Sequence, residues 1–362
     1  MPVAVQSWSP SCCPVAEVCG GCPLIAEDEE RQLAFKSRTV SEALTSAGVV
    51  VPPLHWVGPR PQLGYRNRVR LRIEPSGTLR FFNAHKEAGC AVLEPNLQEL
   101  VVQARAFAQG HPEHTRWFAH VELRGRDDDG RWGACFARRP GERPPPADTL
   151  RSLQGIAESL LVAVQGVHVA AAVPQQRRWL ADDVYALLPV DAFVQVNTLM
   201  NRALVATLRS LASAQRVRSF IDLYAGSGNF SLPLLRQGAH GLAVETHSSA
   251  TAALERAARL QQLGPLEIET ADAPLAAEHL AGAGRSWELV IIDAPRAGAR
   301  QALATMARLS RHHMALVSCN PQSLARDLRT LIDAGFALRE LRLFDMFAQT
   351  RHVEVLAWLT RE

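Results

Sequence analysis

Apolar positions in the second half of the chain fall into short runs that alternate with amphipathic stretches. Short apolar runs typical of buried strands occupy residues 219–224, 241–245, 266–270, 288–293 and 314–319. Helical spacing is found in the stretches 248–263, 299–310 and 321–334. This alternation predicts an α/β fold with a doubly wound parallel sheet, which binds its ligands beyond the carboxyl ends of the strands.

The alternation of strands and helices stops near the end of the chain. Residues 337–346 and 353–360 both have strand-like patterns, and the short segment between them leaves no room for a helix. We therefore expect the last two strands to be antiparallel. Such an ending resembles the seven-stranded, Rossmann-like sheet of class I methyltransferases and differs from a nicotinamide-binding fold.

The first half of the chain mixes helical and strand periodicity. Residues 26–47 have the spacing of an amphipathic helix, with Leu33, Val40 and Leu44 on its apolar side. Residues 116–139 alternate around the turn sequence RDDDG, as in a hairpin.

A chain of 362 residues is long enough for two domains. Strand-like patterning continues to about residue 188, and the strand–helix alternation begins after residue 190. We therefore predict an α+β domain over residues 1–189 and a catalytic domain over residues 190–362.

The residues that follow the first three predicted strands favour a particular cofactor. Gly226 and Gly228 permit close approach of the backbone to a ligand, while the GxGxxG fingerprint of dinucleotide sites is absent. Glu245 ends the next strand, where a carboxylate can bind both ribose hydroxyls, and Asp272 follows the third strand, near an adenine amino group. Each acid alone is often only a helix cap. The ordered series indicates S-adenosylmethionine (SAM), which has a ribose and an adenine but no phosphate.

A thiol and two charged groups lie at the same edge of the predicted sheet. Cys319 ends the fifth strand, and Pro321 stands where the next helix should begin. Because helix N-terminal amides stabilise a thiolate, we expect a lowered pKa for Cys319. Asp293 and Arg296 follow the fourth strand. A lone strand cysteine is more often a packing residue, but the cofactor residues at this edge favour a nucleophile.

Cysteines are concentrated at the N-terminus. Cys13, Cys19 and Cys22 place three soft ligands within ten residues. An iron–sulfur cluster and a zinc ion each accept four such ligands, and the spacing does not decide between them. Cys90 is the natural fourth ligand because it follows a strand-like segment that can return to the N-terminus, and Cys12 is the second choice for the position of Cys13.

The basic residues carry a local signal. The chain has 39 basic and 36 acidic residues, and all but Lys36 and Lys86 of the basic ones are arginine, which genome composition explains best. Residues 64–74 alternate apolar and basic positions, with the arginines at 68, 70 and 72 on one face of a strand. Six arginines and one acid lie between Arg60 and Arg80. This face is either an ordinary solvated strand face or, with support from elsewhere in the chain, a surface that binds RNA.

Seven segments occur in the order found in RNA uracil-C5 methyltransferases, and the chain resembles that family from about Cys13 to its end. These segments are Cys-x5-Cys-Gly-Gly-Cys, GYRNRV, FVQVN (193–197), DLYAGSGNF, DAPRAG, VSCNPQSLARDL and DMFAQTRHVE (345–354).

The resemblance implies a set of functional residues. Cys319 would be the nucleophile that adds to C6 of uracil, and Glu354 the base that removes the C5 proton after methyl transfer. Contacts with SAM are implied for Gln195, Tyr224, Asn229, Glu245 and Asp293, with Asp272 a further candidate. A [4Fe-4S] cluster with a structural or RNA-binding role is implied on Cys13, Cys19, Cys22 and Cys90.

The sequence departs from the family pattern at several points. Ala294 replaces a proline of the usual DPPR, and Ala225 and Ser227 replace residues common in the glycine loop. The usual DMFPHT reads DMFAQT here, which alters the approach to Glu354. No catalytic group is missing. Because the cluster motif begins at residue 13, we expect no N-terminal RNA-binding barrel.

Family members with cluster cysteines mostly act on large-subunit ribosomal RNA, so the resemblance implies 23S rRNA as the first candidate substrate and tRNA as the second. A non-catalytic RNA-binding assembly factor is the alternative from another class, and a small-molecule methyltransferase would leave the arginine strand and the cysteines unexplained. No long apolar run and no secretory signal pattern are found. We therefore expect a cytoplasmic protein without a membrane or an obligate protein partner.

Overall fold

A computed structural model describes Cys13 and residues 15–81, 89–141, 143, 145–165, 173–296, 298–300 and 302–361. Its helices are α1 (Ala16–Cys19), α2 (Glu29–Ser46), α3 (Pro95–Gly110), α4 (Pro112–Thr115), α5 (Ala147–Gln154), α6 (Thr198–Ala214), α7 (Ser231–Arg236), α8 (Ser248–Leu260), α9 (Ala273–Gly282), α10 (Leu303–Arg308) and α11 (Pro321–Asp333). Its strands are β1 (Leu54–Trp56), β2 (Arg68–Ile73), β3 (Leu79–Phe81), β4 (Phe118–Arg124), β5 (Trp132–Arg138), β6 (Leu160–Val164), β7 (Gln175–Ala181), β8 (Val184–Pro189), β9 (Ser219–Leu223), β10 (His240–Glu245), β11 (Leu266–Thr270), β12 (Trp287–Asp293), β13 (Ser310–Ser318), β14 (Phe336–Phe344) and β15 (Glu354–Arg361).

The predicted strands of the second half form one large sheet in the order β1-β14-β15-β13-β12-β9-β10-β11. β15 is antiparallel to β14, as the sequence predicts, and it is also antiparallel to its other neighbour, β13. The sheet has eight strands where seven are expected, because β1 from the first half of the chain pairs in parallel with β14. Both faces are covered by apolar clusters, so the central strands are buried throughout.

Helix α2 also packs onto this sheet domain. Asp28 caps it by accepting a hydrogen bond from the Arg31 amide at 2.8 Å. Its buried face consists of Gln32, Lys36, Val40 and Leu44, spaced one turn apart. The expected apolar side is therefore only partly correct, since Leu33 is half-buried and the first two turns bury polar groups instead.

A smaller sheet, ordered β3-β2-β4-β5-β6, contains the predicted arginine strand and the predicted hairpin β4–β5. On β2, Leu71 and Ile73 are buried in the core shared with α3, while Arg70 and Arg72 are exposed. The alternation predicted from the sequence is therefore confirmed.

The proposed domain boundary between residues 189 and 190 stays a prediction. The chain before this boundary supplies β1, a strand of the large sheet, and α2, which packs onto that sheet. Among the described helices, none has both the length and the apolar content needed to cross a bilayer.

Candidate active site

A cavity opens at the carboxyl ends of β9 and β12. Five of the residues predicted to bind a cofactor line it: Gln195, Tyr224, Gly226, Asn229 and Asp293. Gly226 has a φ of 53°, and a Cβ atom added to it would meet no other atom within 4 Å. The backbone thus turns tightly while leaving open space on the cavity side.

Two other predicted cofactor residues lie outside this lining. Glu245, at the end of β10, accepts a hydrogen bond from the Gly226 amide at 3.0 Å, so it holds the glycine loop. Asp272 is exposed and caps α9 by accepting from the Leu275 amide at 3.2 Å. Its charge is close enough to help raise the pKa of Tyr224, after the larger effect of burial.

Several polar residues of the cavity were not among the predicted ones. Asn67 donates to the Gln195 carbonyl and to the Thr198 hydroxyl, both at 2.9 Å, and thereby holds the FVQVN segment. Asn201 and Asn229 exchange side-chain hydrogen bonds of 2.8 and 3.0 Å. The position of Asn67 within GYRNRV was the available signal, whereas Asn201, in the first turn of α6, belongs to no motif.

The loop before Gln195 is fixed by a buried cation. Arg124 is 2% exposed and donates to the carbonyls of Pro189, at 2.8 Å, and Ala192. Glu122 balances its charge at 3.1 Å. Because the loop accepts from a rigid guanidinium, its conformation is set by the smaller sheet.

The predicted nucleophile and base lie side by side across two strands. β13 and β15 pair in antiparallel register as far as Ser318 and Val355, so the next residues in register are Cys319 and Glu354. On the other side of β13, Asp293 pairs with Val317. The Arg296 guanidinium lies close enough to Cys319 to lower the pKa of its thiol. The sheet edge therefore brings a thiol, two carboxyls and a guanidinium together.

The pKa of Cys319 differs from expectation. Burial raises it, the nearby Glu354 raises it further, and Arg296 lowers it without reversing the shift. The expected lowering by the helix N-terminus is wrong, because the Asn320 side chain itself accepts from the Gln322 and Ser323 amides at 3.1 and 3.4 Å. The helix amides are thus directed at an amide oxygen and not at the thiol.

Carboxyl groups at this edge are shifted in the same direction. Burial raises the pKa of Asp222 to about 7, even though the Ser231 hydroxyl and amide donate to it at 2.6 and 3.1 Å. Burial and the neighbouring Asp222 raise the pKa of Asp293 to about 7. Glu354 is 4% exposed, and burial together with Asp293 raises its pKa well above the ordinary value. A carboxylate with a raised pKa is a stronger base toward a carbon-bound proton.

The four predicted cluster cysteines line a second cavity, of about 290 Å³. Burial raises the pKa of Cys22 to about 12, and the charges of Cys90, Cys13 and Cys19 add to this shift. Arg66 lies close enough to oppose it. Within the described residues, no three His, Cys, Asp or Glu side chains are arranged to hold a single metal ion. Cys12 lies outside the described residues.

Basic and aromatic groups line the surface between the two cavities. The Arg68 guanidinium stacks on the ring of Phe193 at 4.6 Å, and Phe193 is 65% exposed. Arg70 is about half exposed and adjoins Glu122 at 3.7 Å. This surface combines positive charge with an accessible aromatic face, which is the usual composition of single-stranded nucleic-acid sites.

The large sheet is parallel except for β15, which forms an antiparallel pair with β14 at the end of the chain, and a glycine loop follows β9. These features define the class of SAM-dependent methyltransferases. The model of the family described as tRNA (Uracil-5-)-methyltransferase matches residues 181–362, half of the chain. The chain belongs to the RNA uracil-C5 methyltransferase family.

Full-length relatives extend this match to the first half. The 23S rRNA (uracil(1939)-C(5))-methyltransferase RlmD of Pseudomonas putida is 32% identical over 95% of this chain and 78% of its own length. The enzyme of the same name from Pseudomonas aeruginosa is 31% identical over 95% and 79%. The crystal structure of Pyrococcus abyssi tRNA (uracil-54, C5)-methyltransferase superposes with a TM-score of 0.72 and 22% identity, over 95% of this chain and 86% of that one. This structural likeness confirms the fold.

Proposed function

We propose that this protein methylates C5 of a uridine in 23S rRNA with SAM and forms 5-methyluridine through a covalent bond between Cys319 and C6. The observation that carries the proposal is the register of β13 and β15, which puts Cys319 beside Glu354 at the edge that also holds Asp293. The relatives, which cover most of the chain, support the choice of 23S rRNA.

Nucleophilic addition is the role we assign to Cys319. Its thiolate adds to C6 of uracil, and the electron pair of the C5=C6 bond moves into an enolate, so that C5 becomes nucleophilic. Arg296 favours the thiolate by donating to it. Because burial raises the thiol pKa, this donation matters most at neutral pH.

Glu354 acts as the base of the second half of the reaction. Once C5 carries the methyl group, the carboxylate takes the C5 proton, the C5=C6 bond re-forms, and the C6–S bond breaks to release the Cys319 thiolate. Burial beside Asp293 raises the pKa of Glu354, which strengthens it as a base. We assign Asp293 to orienting the uracil as well as to the cofactor cavity.

The residues present fit SAM. Asn67 Oδ1 and Ser227 Oγ both belong to the cavity lining and are buried without a hydrogen-bond partner, so polar ligand groups would satisfy them. When bound, SAM supplies the sulfonium methyl group. Gln195, Tyr224, Gly226 and Asn229 would hold it, while Glu245 fixes the glycine loop and Asp272 lies outside the cavity lining.

The cysteine cavity fits a [4Fe-4S] cluster in donor chemistry and in size. Cys13, Cys19, Cys22 and Cys90 line one space of about 290 Å³, and the charges of the other three help to raise the pKa of Cys22 after the larger effect of burial. We assign the cluster a structural and RNA-binding role, and no step of the reaction passes through it.

The uracil must leave its stack to reach Cys319. We assign the contacts with the phosphate backbone of the RNA to the arginine face of β2, where Arg70 and Arg72 are exposed.

The test is incubation of the protein with methyl-labelled SAM and unmodified 23S rRNA, followed by nucleoside analysis. We expect 5-methyluridine, first at the uridine that the relatives' names give as 1939, and none with Cys319→Ala. Glu354→Gln should instead accumulate a covalent RNA–protein adduct. Product on tRNA alone would favour the second candidate substrate, which the fold likeness to the Pyrococcus abyssi enzyme supports. If no product forms on any cellular RNA, the enzyme proposal is wrong and the alternative, a non-catalytic RNA-binding assembly factor, is favoured.

A further inference from the structure

The loop that precedes Glu354 is mostly buried, apart from Arg351 and His352, and several of its partners lie in the first half of the chain. Residues 345–353 connect β14 to β15, and Glu354 is the first residue after them. Gln349, in the middle of the loop, is fully buried and has a φ of 67°, in the left-handed region that non-glycine residues seldom adopt. A backbone of this kind persists only where its surroundings determine it.

Two glutamine side chains form a reciprocal pair at this point. The Gln32 amide nitrogen donates to Gln349 Oε1 at 2.8 Å, and the Gln349 backbone amide donates to Gln32 Oε1 at 3.0 Å. The Gln349 side chain also donates to Gln62 Oε1 at 3.0 Å. The Gln349 carbonyl accepts from the Leu24 amide, two residues after Cys22, at 3.0 Å.

Neighbouring residues of the loop have further partners in the first half of the chain. Lys36 forms a buried ion pair with Asp345 and donates to the Phe347 carbonyl at 3.2 Å. The Tyr65 hydroxyl donates to the Ala348 carbonyl at 2.9 Å.

The bonds continue within the loop toward the base. The Thr350 hydroxyl donates to the Phe347 carbonyl at 2.7 Å and accepts from the His352 amide at 3.2 Å. Val353 and Glu354, which follow, are buried. Gln349 is thus fixed five residues before Glu354, and the bonds of Thr350 order the segment between them as far as His352.

We propose that Gln32 and Gln349 are positioning residues that hold the Glu354 carboxylate against C5 of the methylated uracil. The inference rests on the proposed function. Cys319 is carried by β13 and α11, so formation of its bond to C6 does not depend on this loop. Removal of the glutamine pair should therefore slow abstraction of the C5 proton and release of the thiolate, while addition and methyl transfer continue.

The two halves of the reaction are separated by substrate choice. With 5-fluorouridine in the target position, addition and methyl transfer proceed, but C5 then bears fluorine and no proton, so the adduct remains. The rate at which this adduct forms reports only the first half. With uridine, the lifetime of the adduct on a denaturing gel reports the second half.

For Gln32→Leu we expect adduct formation on the 5-fluorouridine RNA to stay within about threefold of wild type. Release from uridine RNA should slow by about 10- to 100-fold, so that the adduct accumulates, since small misplacements of a reacting group have effects of this size. Gln349→Ala keeps the hydrogen bonds made by the loop backbone. It should also slow release without slowing adduct formation, but by a smaller factor. The matched control is Gln103→Leu, because the Gln103 side chain donates to Glu99 of the same helix, α3, at 3.1 Å.

Equal slowing of adduct formation and of release would overturn the proposal, because a general decrease in the amount of folded protein slows both steps alike. Unchanged release would overturn it as well. Melting temperatures measured in parallel show whether each variant is folded; if Gln32→Leu is not, Gln349→Ala decides the question. Failure of the proposed function is seen separately, since wild-type protein would then form neither adduct nor 5-methyluridine.

Discussion

The Arg296 guanidinium lies beside the Cys319 thiol at the carboxyl edge of the large sheet and lowers the pKa of that thiol. This interaction opposes burial and the charge of Glu354, both of which raise the pKa of the thiol. The proposed nucleophile is thus a partly buried thiol whose ionisation is favoured by one guanidinium, and not one activated by the helix that follows it.

Arg296→Gln should shift the pH dependence of adduct formation to higher pH. The thiolate is the reactive form, so the rate rises with pH until the thiol pKa is passed. Removing the donor and the positive charge raises that pKa further, and the rate at neutral pH falls about tenfold for each unit of increase. The measurement is the rate of adduct formation on 5-fluorouridine RNA from pH 6 to 9, with Arg300→Gln as a nearby exposed control. Superimposable profiles for Arg296→Gln and wild type would contradict this role.

Removing one member of the buried ion pair Lys36–Asp345 should destabilise the protein more than replacing both members with apolar residues. Lys36→Met leaves the Asp345 carboxylate buried without its partner, and we expect a decrease of about 3–5 kcal/mol in the free energy of unfolding. The double variant Lys36→Met/Asp345→Leu removes both charges and should recover most of that decrease. Urea unfolding measures both. For comparison, Arg285→Met breaks an exposed pair with Glu267 and should cost under about 1 kcal/mol. A double variant no more stable than Lys36→Met would refute the explanation.

Anaerobic purification should yield a brown protein that contains iron and sulfide. Cys22→Ser and Cys90→Ser each remove one thiol of the cavity and should abolish the visible absorption and most of the iron. Cys135→Ser is the matched control, since Cys135 lies on β5, away from the cavity lining, and its replacement should leave the iron content unchanged. Stoichiometric zinc without iron in the wild-type protein would show that the cluster assignment is wrong.

RNA binding should depend on salt through the arginine face of β2. Arg70→Gln and Arg72→Gln each remove one exposed positive charge, so affinity should fall for all RNA sequences. The slope of log affinity against log salt should decrease in magnitude by about one for each phosphate that is no longer neutralised. Arg285→Gln, which removes a charge near the amino ends of the strands, should leave the slope unchanged. An equal change in slope for Arg285→Gln would mean that the charge effect is not local to β2.

The sequence by itself determined the architecture of the second half of the chain. Short apolar runs separated by helical spacing can be buried only as a covered parallel sheet, and the absence of room for a helix before residue 353 forces the last pair to be antiparallel. The family motifs likewise identified the candidate thiol, base and cofactor residues, because each is a specific residue type at a strand end.

Interactions between distant parts of the chain were decided only by the tertiary structure. β1 joins the large sheet as an eighth strand because its hydrogen bonds are made with β14, near the other end of the chain. The periodicity of α2 was visible, but the burial of Gln32 and Lys36 was not, since polar residues are buried only where partners such as Gln349 and Asp345 satisfy them. The pKa of Cys319 has the same origin: burial and Glu354 raise it and Arg296 lowers it, and all of these depend on packing rather than on local sequence.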